Sequence, residues 1–159
     1  MTPGSSSAFP DLERFNLLIL DLDGTLYDET AYLHAAYAEI ARDVAAQTGT
    51  ASQVVRDYLR DSFVSEGRSG LFDRLARKFS LSPEYLARAL STLRGISVPG
   101  GLSLHPPMAA LLEWALAHGK SLAVLTNGNV AQQKNKIAQL PLPQQARVYF
   151  ANEIAPKPS

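Results

Sequence analysis

An α/β fold is expected from three observations. Leu17-Leu18-Ile19-Leu20 is a short apolar run that stops abruptly at acidic residues. Ser121-Leu122-Ala123-Val124-Leu125 is a second such run, stopping at Thr126-Asn127-Gly128, and Arg147–Phe150 is a third. Helix-period segments separate them, and strands alternating with helices imply a parallel, Rossmann-like sheet. The expected order is strand, helical block, helix, strand, helix, strand, so an all-helical segment is inserted between the first two strands.

The elements follow in order. Met1 to Pro10 is rich in Ser, Gly and Pro and reads as a disordered tail, extended to residue 15 as a domain boundary. It lacks the basic and apolar regions of a signal peptide. After the first strand, Leu33, Tyr37, Ile40 and Val44 recur at helical spacing, and Gly49 ends that helix. Val54, Val55, Tyr58, Leu59 and Phe63 mark a second helix. Leu71, Leu75 and Phe79 mark a third, reached through Glu66-Gly67-Arg68-Ser69-Gly70. Ser82-Pro83-Glu84 opens a fourth, with Ser82 as cap, Pro83 at the first helical position and Leu86, Leu90 and Leu93 as its apolar side. Gly95 to Pro107, broken by glycine and proline, returns the chain to the sheet. Met108, Leu111, Leu112 and Ala115 form a core-facing helix ended by Gly119. Asn129 caps a helix carrying Val130, Lys134 and Ile137. The expected domains are an α/β core of residues 16–27 and 105–159 and a helical insertion of residues 28–104.

Bulk properties narrow the function. The chain has 159 residues, 46% of them hydrophobic, with 15 basic and 15 acidic side chains. Zero formal net charge gives no field to attract nucleic acid or an anionic membrane, so neither is expected as a partner. No apolar run approaches the ~20 residues that span a bilayer. There is no cysteine, which excludes disulfides, a thiolate nucleophile and a thiolate metal site. His34, His105 and His118 are isolated and read as structural or exposed. The expected setting is cytoplasmic; the oligomeric state has no signature.

Asp21 and Asp23, Thr126 and Lys157 all fall at or just beyond apolar strands. In a parallel sheet those ends share one edge, where ligands bind. Together they suit phosphoryl transfer. A carboxylate attacks phosphorus, a second carboxylate moves the proton, and a hydroxyl and an ammonium hold the phosphoryl oxygens. Each signal has a plainer reading in isolation: Asp-x-Asp as a loop or cap, Thr126 and Asn-Gly as a turn, Lys157 as a solvated lysine. Arg68, Tyr27 and Glu29 read first as surface side chains, with contact to substrate as the second reading.

The order and spacing of these residues resemble the haloacid dehalogenase-like (HAD) hydrolase superfamily. Asp21-Leu22-Asp23-Gly24-Thr25 resembles its first motif, Thr126 in Leu125-Thr126-Asn127-Gly128 its second, and Lys157-Pro158 its third. The long gap from 21 to 126 is similar to that of members with a helical cap after the first motif. The resemblance implies that Asp21 is the nucleophile and a Mg²⁺ ligand. It implies that Asp23 is the general acid/base and a second ligand through its carbonyl, and that Thr126 and Lys157 bind the phosphoryl group. Leu22, Asn127 and Gly128 become substrate-binding positions. Dehalogenating members generally lack an acid where Asp23 stands, because a halide leaves without a proton. The implied function is a Mg²⁺-dependent phosphomonoester hydrolase acting on a small phosphorylated metabolite through an aspartyl-phosphate. A phosphomutase and a non-catalytic binding remnant are the alternatives.

The family's fourth motif, an acidic strand beyond the motif-three lysine, has no counterpart before Ser159. We therefore expect this 159-residue chain to hold Mg²⁺ weakly and to be impaired. Mg²⁺-dependent phosphatase rates for this chain and for a version extended through an acidic strand should differ; equal rates would contradict the expectation.

Overall fold

The structure is a computed structural model that describes residues 9–155. The strands are β1 (Leu17–Leu20), β2 (Ser121–Thr126) and β3 (Arg147–Phe150), and the sheet is parallel in the order β1-β2-β3. Leu20 lies beside Val124, and Thr126 beside Phe150. That register sets Asp21 and Thr126 at the same edge. Between β1 and β2 run α1 (Glu29–Thr48), α2 (Ser52–Glu66), α3 (Leu71–Phe79), α4 (Pro83–Gly95) and α5 (Pro106–Ala117). α6 (Val130–Ala138) joins β2 to β3, and a short α7 (Ala151–Ile154), which the sequence pattern did not suggest, follows β3.

Local signals account for most boundaries. Asp28 caps α1, its carboxylate accepting from the Thr30 backbone N–H at 2.9 Å and hydroxyl at 2.7 Å. Gly49, left-handed at φ +72°, closes that helix. Ser82 accepts from the Tyr85 N–H, and Asn129 from the Gln132 N–H, as their positions suggest. The α1 stripe of Leu33, Tyr37, Ile40 and Val44 is buried and packs with Val55, Leu59, Leu71 and Leu75 into a cluster within the insertion. Each such side chain contributes roughly 1.5–3 kcal/mol when fully buried. A second cluster under the sheet joins Leu18, Leu22, Leu26, Leu112, Trp114, Leu122 and Val124.

Several expectations need correction. α4 fully buries Tyr85 and Ala89, while Leu86, Leu90 and Leu93 are only partly covered. Tyr85 earns its place by donating its hydroxyl to the Ile40 carbonyl at 3.1 Å, a contact apolar periodicity does not reveal. β1 is buried on one face only: Leu17 and Ile19 are exposed, while Leu18 is buried. Of the tail expected through residue 15, residues 1–8 lie outside the described residues and residues 9–15 are structured. Phe9 packs edge-on against Trp114 with centroids 5.4 Å apart, and Pro10–Leu12 forms a 3-10 turn. The insertion is tied to the sheet more closely than a boundary at 28 and 104 implies, because Tyr32 and Leu102 belong to the sheet cluster.

Where the insertion leaves and rejoins the sheet, its two strands are stitched together. Tyr27 bridges antiparallel to Leu104, and the His105 N–H donates to the Leu26 carbonyl at 2.9 Å.

Asp28→Ala should destabilise the protein by about 1 kcal/mol in urea unfolding, the usual worth of such a cap. Bonds to the Thr30 side chain and backbone hold the Asp28 carboxyl below its ordinary pKa. The cap contribution is therefore complete above roughly pH 4 and is lost as the pH falls further. The difference between wild type and variant should shrink in acid.

Candidate active site

The end of β1 turns through Asp21-Leu22-Asp23-Gly24-Thr25, with Gly24 left-handed at φ +70°. The Leu26 N–H closes the turn onto the Leu22 carbonyl at 3.1 Å. Asp21 and Asp23 then line a cavity of about 630 Å³, together with Thr126, Asn127 and Gly128 from the end of β2. The described residues predicted for the site thus converge, with one qualification. The Leu22 side chain is fully buried in the core, so any contact with substrate must come from its backbone. Lys157 lies outside the described residues.

Asp23 is the most constrained group in the cavity wall. Its Oδ1 accepts from the Tyr27 hydroxyl at 2.7 Å and from Lys136 Nζ at 2.8 Å, and its Oδ2 from Gln133 Nε2 at 2.8 Å. Burial alone would push the carboxyl up in pKa. The Lys136 hydrogen bond and charge, with the bonds from Gln133 and Tyr27, outweigh burial and hold it below the ordinary carboxylate value. Burial, and then the adjacent Asp23 carboxylate, push the Tyr27 phenol far up, so Tyr27 serves as a donor.

Thr126 is buried at the strand end; its hydroxyl donates to the Asn127 carbonyl at 3.3 Å and accepts from Gln133 Nε2 at 3.1 Å. Gln133 Nε2 also donates to the Asn127 carbonyl at 2.5 Å. The Gly128 N–H, which opens toward the α6 terminus, donates to Asn152 Oδ1 at 3.3 Å.

Five residues at this site were not picked out, or were read as surface. Tyr27 is buried, and Glu29 accepts from Lys136 Nζ at 3.0 Å and from Arg68 Nη2 at 2.8 Å. Arg68, at the cavity rim, reaches it from the loop between α2 and α3. On α6 the inward residues are Gln133 and Lys136, at 4% and 1% exposure, whereas Lys134 is exposed. A polar face on a helix that must pack against a sheet was the signal available for this pair.

Among the described residues no group of three or more His, Asp or Glu side chains gathers to hold a metal. The Asp21 carboxylate and the Asp23 main-chain carbonyl are hard oxygen donors of the kind a divalent cation such as Mg²⁺ prefers. The Asp23 side chain is committed to Lys136, Gln133 and Tyr27, which leaves its carbonyl as the suitable donor. No helix among the described residues is long and apolar enough to cross a membrane.

A parallel sheet with paired acids after its first strand and a hydroxyl after its second gathers polar groups at the edge where open α/β sheets bind ligands. The chain matches the description haloacid dehalogenase-like hydrolase over residues 15–158 and belongs to that family. No curated protein matches it. Similar solved structures include a haloacid dehalogenase-like family hydrolase from Xanthomonas campestris, at 16% identity and TM-score 0.49, over 86% of this chain and 61% of that one. A dehalogenase with an intermediate complex is similar at 18% identity and TM-score 0.48, over 91% and 66%. A HAD phosphatase from Thermococcus onnurineus is similar at 16% identity and TM-score 0.45, over 88% and 63%. The chain thus spans less than two thirds of each of these structures.

Gly128 has φ +114°, and a Cβ there would lie 3.1 Å from Gln133 Nε2 and 3.6 Å from its Cδ. Gly128→Ala should therefore strain the turn and push the Gln133 amide away from Asp23 and Thr126. The expected loss is about 1–3 kcal/mol in urea unfolding at unchanged m-value; wild-type stability would contradict this account.

Proposed function

We propose that this hydrolase cleaves phosphate monoesters of small metabolites, such as sugar phosphates or nucleoside monophosphates, with Mg²⁺ as cofactor. The observation that carries the reading is Asp23: a second carboxyl in the wall of the Asp21 cavity, beside Thr126. Displacing an alkoxide needs a proton donor, whereas displacing a halide does not. The cavity volume of about 630 Å³ suits a small ligand.

An Asp21 oxygen attacks phosphorus while the bond from phosphorus to the ester oxygen breaks. Asp23, held as the carboxylate by Lys136 before substrate arrives, takes up a proton as the anionic phosphoryl group approaches and passes it to that oxygen, and the alcohol leaves. Water then attacks the phosphorus of the aspartyl-phosphate and gives its proton to Asp23. Inorganic phosphate departs, and the Asp21 carboxylate is restored. Thr126 and the backbone of Asn127 and Gly128 face the phosphoryl group, and Lys157 is proposed to neutralise its charge. Asp21 and the Asp23 carbonyl would hold Mg²⁺, which supplies positive charge against the phosphoryl oxygens.

Three measurements test this on a panel of phosphomonoesters. Chelation should remove turnover and added Mg²⁺ should restore it. Asp21→Asn should reduce turnover to background. Asp23→Asn should lower kcat by about 10²–10⁴-fold. Release of halide from 2-haloacids without phosphate release from any ester would replace this reading with dehalogenation.

A further inference from the structure

The chemistry just described leaves Lys136 without a role, although it is the most deeply buried charge among the described residues. It stands three residues after Gln133, on the same face of α6. The pair forms a fork: Gln133 holds Asp23 Oδ2 and Lys136 holds Oδ1. Lys136 makes a second bond, to Glu29 Oε1 at 3.0 Å in the first turn of α1, and its ammonium lies 5.1 Å from the Tyr32 ring centroid. Glu29 in turn is held by Arg68 from the loop between α2 and α3. One ammonium therefore joins the Asp23 carboxyl to two elements of the helical insertion.

Fixing a lysine side chain costs up to ~2 kcal/mol of rotamer entropy, and burying its charge costs more. A lysine needed only to fill space would be replaced by an apolar side chain at lower cost. The arrangement has a use if the carboxyl must stay in place, because misplacing a reacting group by about 1 Å can cost ~10²-fold in rate.

We propose that Lys136 is a positioning residue: it fixes the Asp23 carboxyl at the cavity wall and, through Glu29, makes that placement depend on the seating of the helical insertion. The consequence for turnover rests on the phosphomonoesterase reading; the placement itself does not. A leaving group with a low pKa, such as p-nitrophenolate, departs with little help from an acid, whereas an alkoxide requires its proton. Loss of positioning should therefore be selective between esters, and general damage to the fold should not.

The test compares wild type, Lys136→Met and Glu29→Gln on p-nitrophenyl phosphate and on a simple alkyl phosphate. Lys136→Gln replaces the Met variant should that fail to fold. For Lys136→Met, kcat on the alkyl ester should fall about tenfold or more beyond any fall on the aryl ester, with KM nearly unchanged. Glu29→Gln should show the same selectivity, less strongly. Equal losses on both esters, or none, would overturn the positioning role, and selectivity in Lys136→Met alone would overturn the link to the insertion. Melting temperatures of Lys136→Met, Asp23→Asn and the double variant supply a readout free of turnover. Non-additive shifts support the contact and additive shifts overturn it. Non-additive shifts, with every ester untouched both by the wild type and by the version extended through an acidic strand, would sink the phosphomonoesterase reading and leave the placement standing.

Discussion

The ammonium of Lys136 sits where three parts of the chain meet: the turn after β1, the start of α1 and the inner face of α6. Two carboxylates and one ammonium carry a net negative charge, and Arg68 on Glu29 brings the set to neutrality. Buried ions of this kind are expensive to desolvate, and a single missing partner leaves an uncompensated charge. The set is therefore tightest at Lys136, its buried member, and loosest at Arg68, which is exposed. It gives the insertion a polar reason to sit where it does, in addition to the apolar packing of Tyr32 and Leu102 on the sheet cluster.

α6 extends the same logic away from the cavity. The return segment after α4 is irregular, and its backbone groups need partners that a regular element would have supplied. Asn135 Nδ2 and Gln139 Nε2 donate to the Ile96 carbonyl at 2.8 and 3.0 Å, and Gln139 Oε1 accepts from the Val98 N–H at 2.7 Å. Asn135 also donates to the Tyr32 hydroxyl at 3.1 Å, which itself donates to the Leu93 carbonyl at 2.6 Å. A helix sandwiched between sheet and insertion thus buries amides and an ammonium where an apolar stripe would be usual. Nearly every group is satisfied, as a buried polar network requires; Gln133 Oε1 is without a hydrogen-bond partner.

This explains what was legible in the sequence. The strands, the caps at Asn129 and Ser82, and the α1 stripe were readable because they rest on local chemistry and on periodic apolar side chains. Asp21, Asp23 and Thr126 were readable because they follow apolar strands in a parallel sheet. Lys136 and Gln133 were not, because apolar periodicity ranks side chains by hydrophobicity. On α6 that ranking selects Val130 and Ile137 and discards the face that turns inward. Glu29 was obscured for another reason: its partner Lys136 is more than a hundred positions away, and no local pattern encodes such a pairing.

The junction of insertion and sheet shows how tightly the two are linked. Both crossings occur within one bridge, Tyr27 beside Leu104, and the Tyr27 hydroxyl reaches directly to Asp23. Glu29 follows two residues later and carries the contact to Lys136. Any movement of the insertion about this point must therefore displace a donor to Asp23, a partner of Lys136, or both. The cavity floor is different: Asp21 and Thr126 are fixed by the strand register, and Gln133 braces the turn beneath them. Arg68, with 68% of its side chain exposed, is the rim group with room to change partners. The groups proposed to react thus stand on the sheet, while Arg68 at the rim belongs to the insertion, a division suited to keeping one chemistry while varying what is admitted to it.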